Sequence, residues 1–178
     1  MTLKYKLIEG DFLLLTLYLL KKDETLKKAN IKRTLVQSTI ALAIILILYF
    51  DHQLLFAVAL LIGLIIGLII RPLRLKEKYF DSCKKQAKLY ASVSNSNNEF
   101  NLNEDFVEVK SENVDVKRTL TEIKSIVETQ KHFFILCNIG YIIIPKLKIE
   151  NIGIVRDEFV SLSKKMNIEY ISDLIWKW

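Results

Sequence analysis

Residue types that commonly carry out catalysis or bind metals are scarce in this chain. It contains two histidines and two cysteines, and neither type shows the spacing of a metal-binding motif. A glycine-rich phosphate loop and a nucleophile elbow are also missing. We therefore expect no enzymatic activity, no metal and no cofactor. His132 is predicted to be a solvated residue at the start of a strand, and Cys83 and Cys137 are predicted to be thiols in a reducing compartment.

Charge is missing from the middle of the chain. Residues 34–50 and 54–70 contain no Asp, Glu, Lys or Arg. Each run has about 17 residues, close to the lower limit for a helix that crosses a hydrocarbon core of roughly 30 Å. Because backbone groups in lipid must be paired within the chain, the two runs predict a transmembrane helical hairpin that turns at residues 51–53.

The net charge of +6 is concentrated beside these two runs. The flanking basic residues are Lys27, Lys28, Lys32, Arg33, Arg71, Arg74, Lys76 and Lys78. Basic residues mark the cytoplasmic ends of membrane spans, so both termini are predicted to be cytosolic. This distribution favours the lipid bilayer as a partner and argues against nucleic acid. Arg71 and Arg74 are expected at the membrane surface.

Small residues recur every four positions in the second run, at Ala59, Gly63 and Gly67. This spacing places them on one helix face, where another backbone can approach closely. We expect the stripe to pack the hairpin against itself, with Gly63 near Ala41 and Gly67 near Gln37 and Ser38. The alternative is a self-association face, which would make the protein a homo-oligomer.

The segments on either side of the hairpin show shorter patterns. Residues 1–33 predict an N-terminal strand followed by a short amphipathic helix. Residues 71–98 predict a basic exit helix and a polar linker over 92–98, with Pro72 stopping or kinking the second span.

Apolar residues alternate with polar ones over residues 99–168, and this predicts an antiparallel β domain. Six strands are expected, at residues 100–102, 106–110, 114–118, 123–129, 132–137 and 140–145. Asn151 is predicted to cap a closing helix in which Val155, Phe159, Leu162 and Met166 share one face. The predicted fold is an α+β membrane protein, with a two-helix transmembrane hairpin and a small antiparallel β domain, similar to pleckstrin-homology (PH) domains, closed by a C-terminal helix.

Three segments, NLNEDFVEVKSEN, TLTEIKSIVETQKHFFIL and GYIIIPK, followed by the helix beginning near Ile154, resemble the YcxB-like family of small bacterial membrane proteins. The resemblance covers residues 99–167 and the layout of two spans, a basic exit helix and a PH-like domain. It implies a location in the bacterial inner membrane and a PH-like fold. It implies no established activity.

Two groups of residues are candidates for binding a membrane surface or a partner. The basic group is Lys117, Arg118, Lys124, Lys131, Lys146 and Lys148. It forms either an ordinary solvated surface or a face attracted to anionic headgroups. The second group is the tail, residues 169–178, which carries Trp176 and Trp178. Ile171, Leu174, Ile175 and Trp178 would share a helical face that either reaches the bilayer or packs on the β domain.

Three functions are compatible with these patterns. The broadest is a non-enzymatic membrane protein whose cytosolic PH-like domain binds a protein partner or the membrane surface. A more specific one is an immunity protein that intercepts a membrane-active toxin, with the small-residue stripe as its docking face. The third is a ligand-gated effector whose hairpins oligomerise in the membrane.

Overall fold

The computed structural model describes residues 1–94, 97–111 and 115–178. The chain divides into two compact units. Residues 1–17 and 84–178 form one, which we call the α+β unit, and residues 18–83 form the other, the helical unit. The boundaries between the units fall inside two helices, α1 (Glu9–Lys22) and α3 (Leu54–Ser94), so each of these helices contributes residues to both units.

The first sheet of the α+β unit is antiparallel throughout. Its strands are β1 (Thr2–Lys6), β2 (Asn97–Leu102), β3 (Phe106–Lys110) and β4 (Asp115–Thr119), and they lie in that order. The predicted N-terminal strand is therefore confirmed, and it forms the edge of this sheet by pairing with β2. The strand predicted over 114–118 begins at Asp115 among the described residues, and residues 112–113 of the predicted turn lie outside them.

The second sheet mixes antiparallel and parallel pairing. Its strands are β5 (Ile123–Thr129), β6 (His132–Cys137), β7 (Tyr141–Pro145) and β8 (Glu169–Asp173), in the order β7-β6-β5-β8. Strand β8 runs parallel to β5 after the crossover helix α4 (Ile152–Met166). The helical face predicted for the tail is wrong over residues 169–173, because these residues hydrogen-bond to β5 as a strand.

Three phenylalanine rings join the two sheets to α4. Phe159 of α4 lies 5.2 Å from Phe133 of β6 and 6.1 Å from Phe100 of β2, between ring centroids, in edge-to-face arrangements. All three side chains are fully buried. Asn151 caps α4 as predicted, since its side chain accepts a hydrogen bond from the Ile154 N–H. These rings form the centre of the core.

The helical unit contains the end of α1, the whole of α2 (Glu24–Phe50) and, after the turn at residues 51–53, α3 as far as Cys83. Both helices are long and apolar enough to cross a membrane. Asn30 Nδ2 donates a hydrogen bond of 2.7 Å to Tyr79 Oη, and Arg71 Nη1 donates one of 2.6 Å to Gln37 Oε1. These two bonds fix the antiparallel register of the pair.

The second apolar helix, α3, is longer than predicted. Pro72 lies inside α3 and does not end it, because a proline removes one main-chain hydrogen bond and the turns on either side keep theirs. The predicted exit helix is thus the continuation of the second apolar helix. The predicted linker is also shorter, since the helix reaches Ser94 and β2 begins at Asn97, while residues 95–96 lie outside the described residues.

Candidate functional site

A cavity of about 550 Å³ lies within the α+β unit. Val109 of β3 and Val116 of β4, which pair directly across the first sheet, line one side. Ile142 of β7 lines another, together with Phe12 of α1 and Leu89 of α3. The volume is within the range of roughly 300–1,000 Å³ that is typical of small-molecule sites. The cavity is therefore the candidate functional site.

Besides Phe12, the lining contains three tyrosines, namely Tyr5, Tyr90 and Tyr141. The Tyr90 and Tyr141 rings meet edge to face, with 6.1 Å between centroids, and Phe12 lies 6.2 Å from Tyr90. Burial raises the pKa of Tyr5. Burial and the neighbouring Tyr90 hydroxyl raise the pKa of Tyr141. Both phenols are consequently protonated at physiological pH and are able to donate a hydrogen bond.

Strand alternation explains why Tyr5 reaches this cavity. In β1 the side chains of Lys4 and Lys6 are exposed while Tyr5 between them is buried, as expected for residues on opposite faces. Tyr5 lies directly opposite Asn98 of β2, which is also buried and also lines the cavity. The inner face of the first sheet therefore supplies both aromatic and polar groups.

A second buried cluster is built around Glu128 of β5, which is only 1% exposed. Lys146 Nζ donates a 2.6 Å hydrogen bond to its carboxylate, Arg156 Nη2 donates another of 2.6 Å, and Tyr170 Oη donates one of 2.7 Å. Burial alone would raise the pKa of Glu128, but the bonds from Arg156, Lys146 and Tyr170 outweigh it and lower the pKa to about 2. With both its oxygens engaged, this carboxylate ties the turn after β7, the helix α4 and the strand β8 to β5.

The Glu128 cluster corrects the prediction for Lys146, which was expected on a basic surface. Its side chain is buried, and its ammonium lies 4.7 Å from the centroid of the Phe133 ring as well as against Glu128. A buried ammonium needs a carboxylate partner, and the sequence pattern around Lys146 does not reveal that Glu128 lies beside it. The sequence signal for this pair was Glu128 itself, because a charged residue in a largely apolar strand such as residues 123–129 needs a partner of opposite charge.

A third buried polar contact joins α1 to β6. Asp11 Oδ1 and His132 Nε2 lie 2.7 Å apart, and the other carboxylate oxygen of Asp11 accepts a hydrogen bond from the Ile8 N–H at the start of α1. The His132 ring stacks on Phe134, with 5.3 Å between centroids. The prediction that His132 is solvated is wrong, because its side chain is covered by α1, which is distant in the sequence.

Two other residues of the predicted basic group, Lys117 and Arg118, do not share one surface. Lys117 and Arg118 are neighbours in β4 and therefore point to opposite faces of the sheet. Lys117 lies 3.7 Å above the Phe106 ring, and Arg118 is paired with Glu122 at 3.8 Å. Lys148 is exposed beyond β7. A single basic face containing Lys117, Arg118, Lys146 and Lys148 is therefore wrong.

The tail contributes to a smaller pocket, of about 270 Å³, in the α+β unit. Trp176 and Trp178 line it beside His132 and Thr129. The Trp176 N–H of the main chain donates to the Asp173 carbonyl at 3.2 Å, which turns the chain after β8. Both tryptophans are half-buried. Two placements were predicted for the tail, contact with the bilayer and packing on the β domain. These contacts agree with packing on the β domain.

The small-residue stripe of α3 does not pack the hairpin together. Ala59, Gly63 and Gly67 are exposed, and a Cβ placed on either glycine would meet no atom within 4 Å outside its own helix. The hydrogen bond to Gln37 comes from Arg71, one turn beyond Gly67, so the register differs from the expected one by about a turn. Ala41 is half-buried in α2, whereas the stripe is uncovered.

Within residues 1–94, 97–111 and 115–178, no group of three or more His, Cys, Asp or Glu side chains is placed to hold a metal ion.

Comparison of the chain with protein-family models, with curated proteins and with solved structures finds no match.

Proposed function

We propose that the protein is an integral membrane protein whose α2–α3 hairpin crosses the bilayer and whose α+β unit is a non-enzymatic binding module on the cytosolic side. The observation that supports this proposal most directly is the exposure of the two apolar helices. In the described part of the chain, no residue in the most apolar window of α2 is buried, and only 6% of those in α3 are. The core helix of a water-soluble protein would be mostly buried, so this surface needs lipid or a partner to cover it.

The distribution of polar groups supports an orientation for the hairpin. Two side-chain hydrogen bonds join α2 to α3, one from Asn30 and one from Arg71, and both lie at the end of the hairpin that carries the basic residues. The turn at residues 51–53 lies at the other end of the apolar segments. By the positive-inside rule the basic end faces the cytosol of a bacterial cell, and both termini lie on that side of the inner membrane.

Membership of the YcxB-like family and a PH-like architecture remain part of the proposal. The antiparallel strands β2 to β7 and the helix α4 that follows them support it, as do the quoted segments of the sequence. The parallel strand β8 extends the expected outline by one strand. These features suit a binding module, since the sheets and α4 form a rigid scaffold.

Cysteine labelling in intact bacterial cells tests the topology. Gln53→Cys places a thiol in the exposed hairpin turn, and Lys131→Cys places one in the exposed turn between β5 and β6. The unsubstituted chain is the blank, because Cys83 and Cys137 are both buried. A membrane-impermeant maleimide should label Gln53→Cys in intact cells and Lys131→Cys only after lysis. Labelling of Lys131→Cys in intact cells, or release of the protein by alkaline washing of membranes, would contradict the proposal.

The uncovered stripe of Ala59, Gly63 and Gly67 favours a second candidate, an immunity protein that intercepts a membrane-active toxin. An exposed row of small residues allows a foreign helix to approach closely. Gly63→Leu should then abolish protection of a deletion strain grown with toxin-producing siblings, while Leu61→Ile on the same helix should leave it intact. If the deletion strain grows normally in that mixture, this candidate is lost.

A further inference from the structure

We propose that the cavity of the α+β unit binds a neutral, largely apolar small molecule, which accepts a hydrogen bond from the Tyr5 hydroxyl. This inference rests on the proposed binding-module function and names the chemical class of its ligand. Three observations carry it: the composition of the walls, the absence of charged side chains among the described lining residues, and the position of Tyr5 in the lining.

The walls are shaped for an apolar body. Aliphatic side chains reach the cavity from both sheets, with Val109 and Val116 in the first and Ile142 in the second. Phe12 and Tyr90 add aromatic surface. Since burial of apolar surface is the main source of binding free energy in such sites, a molecule with mostly carbon on its surface gains the most here.

The described lining of the cavity favours an uncharged ligand. Among the described residues, no Asp, Glu, Lys, Arg or His contributes to it. A carboxylate, a phosphate or an ammonium would lose its hydration on entry and find no opposite charge, which is strongly unfavourable. A fatty acid anion or a nucleotide is therefore a poor candidate, and an uncharged ligand is expected.

The Tyr5 hydroxyl supplies the polar contact. Tyr5 is only 6% exposed, and its side chain lines the cavity. A phenol hydroxyl is able to donate one hydrogen bond, which makes it a partner for an oxygen atom of a ligand in an otherwise apolar cavity. Burial raises the pKa of Tyr5, so the phenol keeps its proton and is a donor. A carbonyl, ether or hydroxyl oxygen of the ligand would satisfy it.

Benzophenone is a suitable probe, because it is neutral, apolar and has one acceptor oxygen, and because irradiation inserts it into neighbouring C–H bonds. The full chain in lipid nanodiscs would be irradiated with increasing benzophenone, and the labelled residues would be identified by peptide mass spectrometry. Diphenylmethane, which has the same two rings and no acceptor, would serve as the competitor.

Saturable labelling at lining residues such as Ile142 and Tyr90 is the expected result. Tyr5→Phe should weaken benzophenone binding about two- to tenfold, the value of one neutral hydrogen bond, and leave competition by diphenylmethane unchanged. Tyr49→Phe, the same change in an exposed tyrosine of α2, is the matched control and should have no effect. Val116→Phe should block labelling by filling the cavity.

Labelling confined to the apolar helices would overturn the inference, because the probe would then have dissolved only in lipid. Equal weakening of both compounds by Tyr5→Phe, or of neither, would remove the assigned role of the hydroxyl. If Val116→Phe does not fold, the Tyr5→Phe comparison decides alone. A protein that stays in alkaline-washed membranes but shows no labelled lining residue would lose this inference and keep the proposed membrane function.

Discussion

Replacing Glu128 by glutamine should destabilise the α+β unit strongly at neutral pH and very little at pH 2. The neutral amide resembles the protonated carboxylic acid in size and charge. It would leave the buried Lys146 ammonium, which is 6% exposed, without its anionic partner. The lowered pKa of the carboxylate gives the free energy of unfolding that is lost with the negative charge.

The magnitude follows from the pKa of about 2 against an ordinary value of 4.5. A difference of about 2.5 pKa units corresponds to about 3 kcal/mol of stabilisation by the ionised form. Because the pKa is lower in the folded state, this stabilisation is complete above about pH 5 and is lost as the pH falls toward 2. For a unit of this size, a loss of about 3 kcal/mol lowers Tm by roughly 10 °C or more.

Tryptophan fluorescence provides the assay, because the only two tryptophans, Trp176 and Trp178, both lie in the α+β unit. Thermal melts of the unsubstituted protein and of Glu128→Gln between pH 2 and 7 should converge at the acid end. Glu99→Gln, which removes an exposed partner of Lys4, is the control and should change stability by less than about 1 kcal/mol. Parallel curves for the two proteins across this pH range would refute the reasoning.

Three further substitutions test other contacts, each by the same melts at pH 7. Asp11→Ala removes both the His132 partner and the Ile8 cap and should cost about 2–4 kcal/mol, whereas Asp11→Asn should cost clearly less; equal losses would contradict the assigned contacts. Asn151→Ala should cost about 1 kcal/mol by uncapping α4, and Asn151→Asp should restore it. Gly140→Ala should cost about 1–2 kcal/mol although its surroundings are open, because φ there is +86°; an unchanged Tm would show that the turn relaxes.

Local patterns in the sequence predict most of the individual elements. Alternation identifies β5, β6 and β7 to within a residue, and Asn151 marks the start of α4. The two uncharged runs identify the apolar helices. These signals succeed because each depends on residues that are close together in the chain.

Pairings between distant segments escape such patterns. The position of β1 beside β2 depends on contacts between residues about 95 apart in sequence, and the parallel pairing of β8 with β5 depends on the path of α4. The burial of Lys146 and His132 has the same origin, because Glu128 and Asp11 come beside them only after the sheets assemble. For the same reason, the alternation in β1 places Tyr5 on the inner face but does not reveal the cavity beside it.

The α+β unit is discontinuous in sequence: the chain leaves it after Leu17 and rejoins it at Lys84. Because Leu17 and Lys84 belong to one folded unit, they lie on the same side of a membrane. The segment between them can therefore cross that membrane only an even number of times, and the proposed number is two. The first strand of the α+β unit also emerges from the ribosome long before its partner β2. The unit can therefore complete its fold only after the hairpin has been synthesised, so in the proposed topology insertion into the bilayer would precede closure of the first sheet.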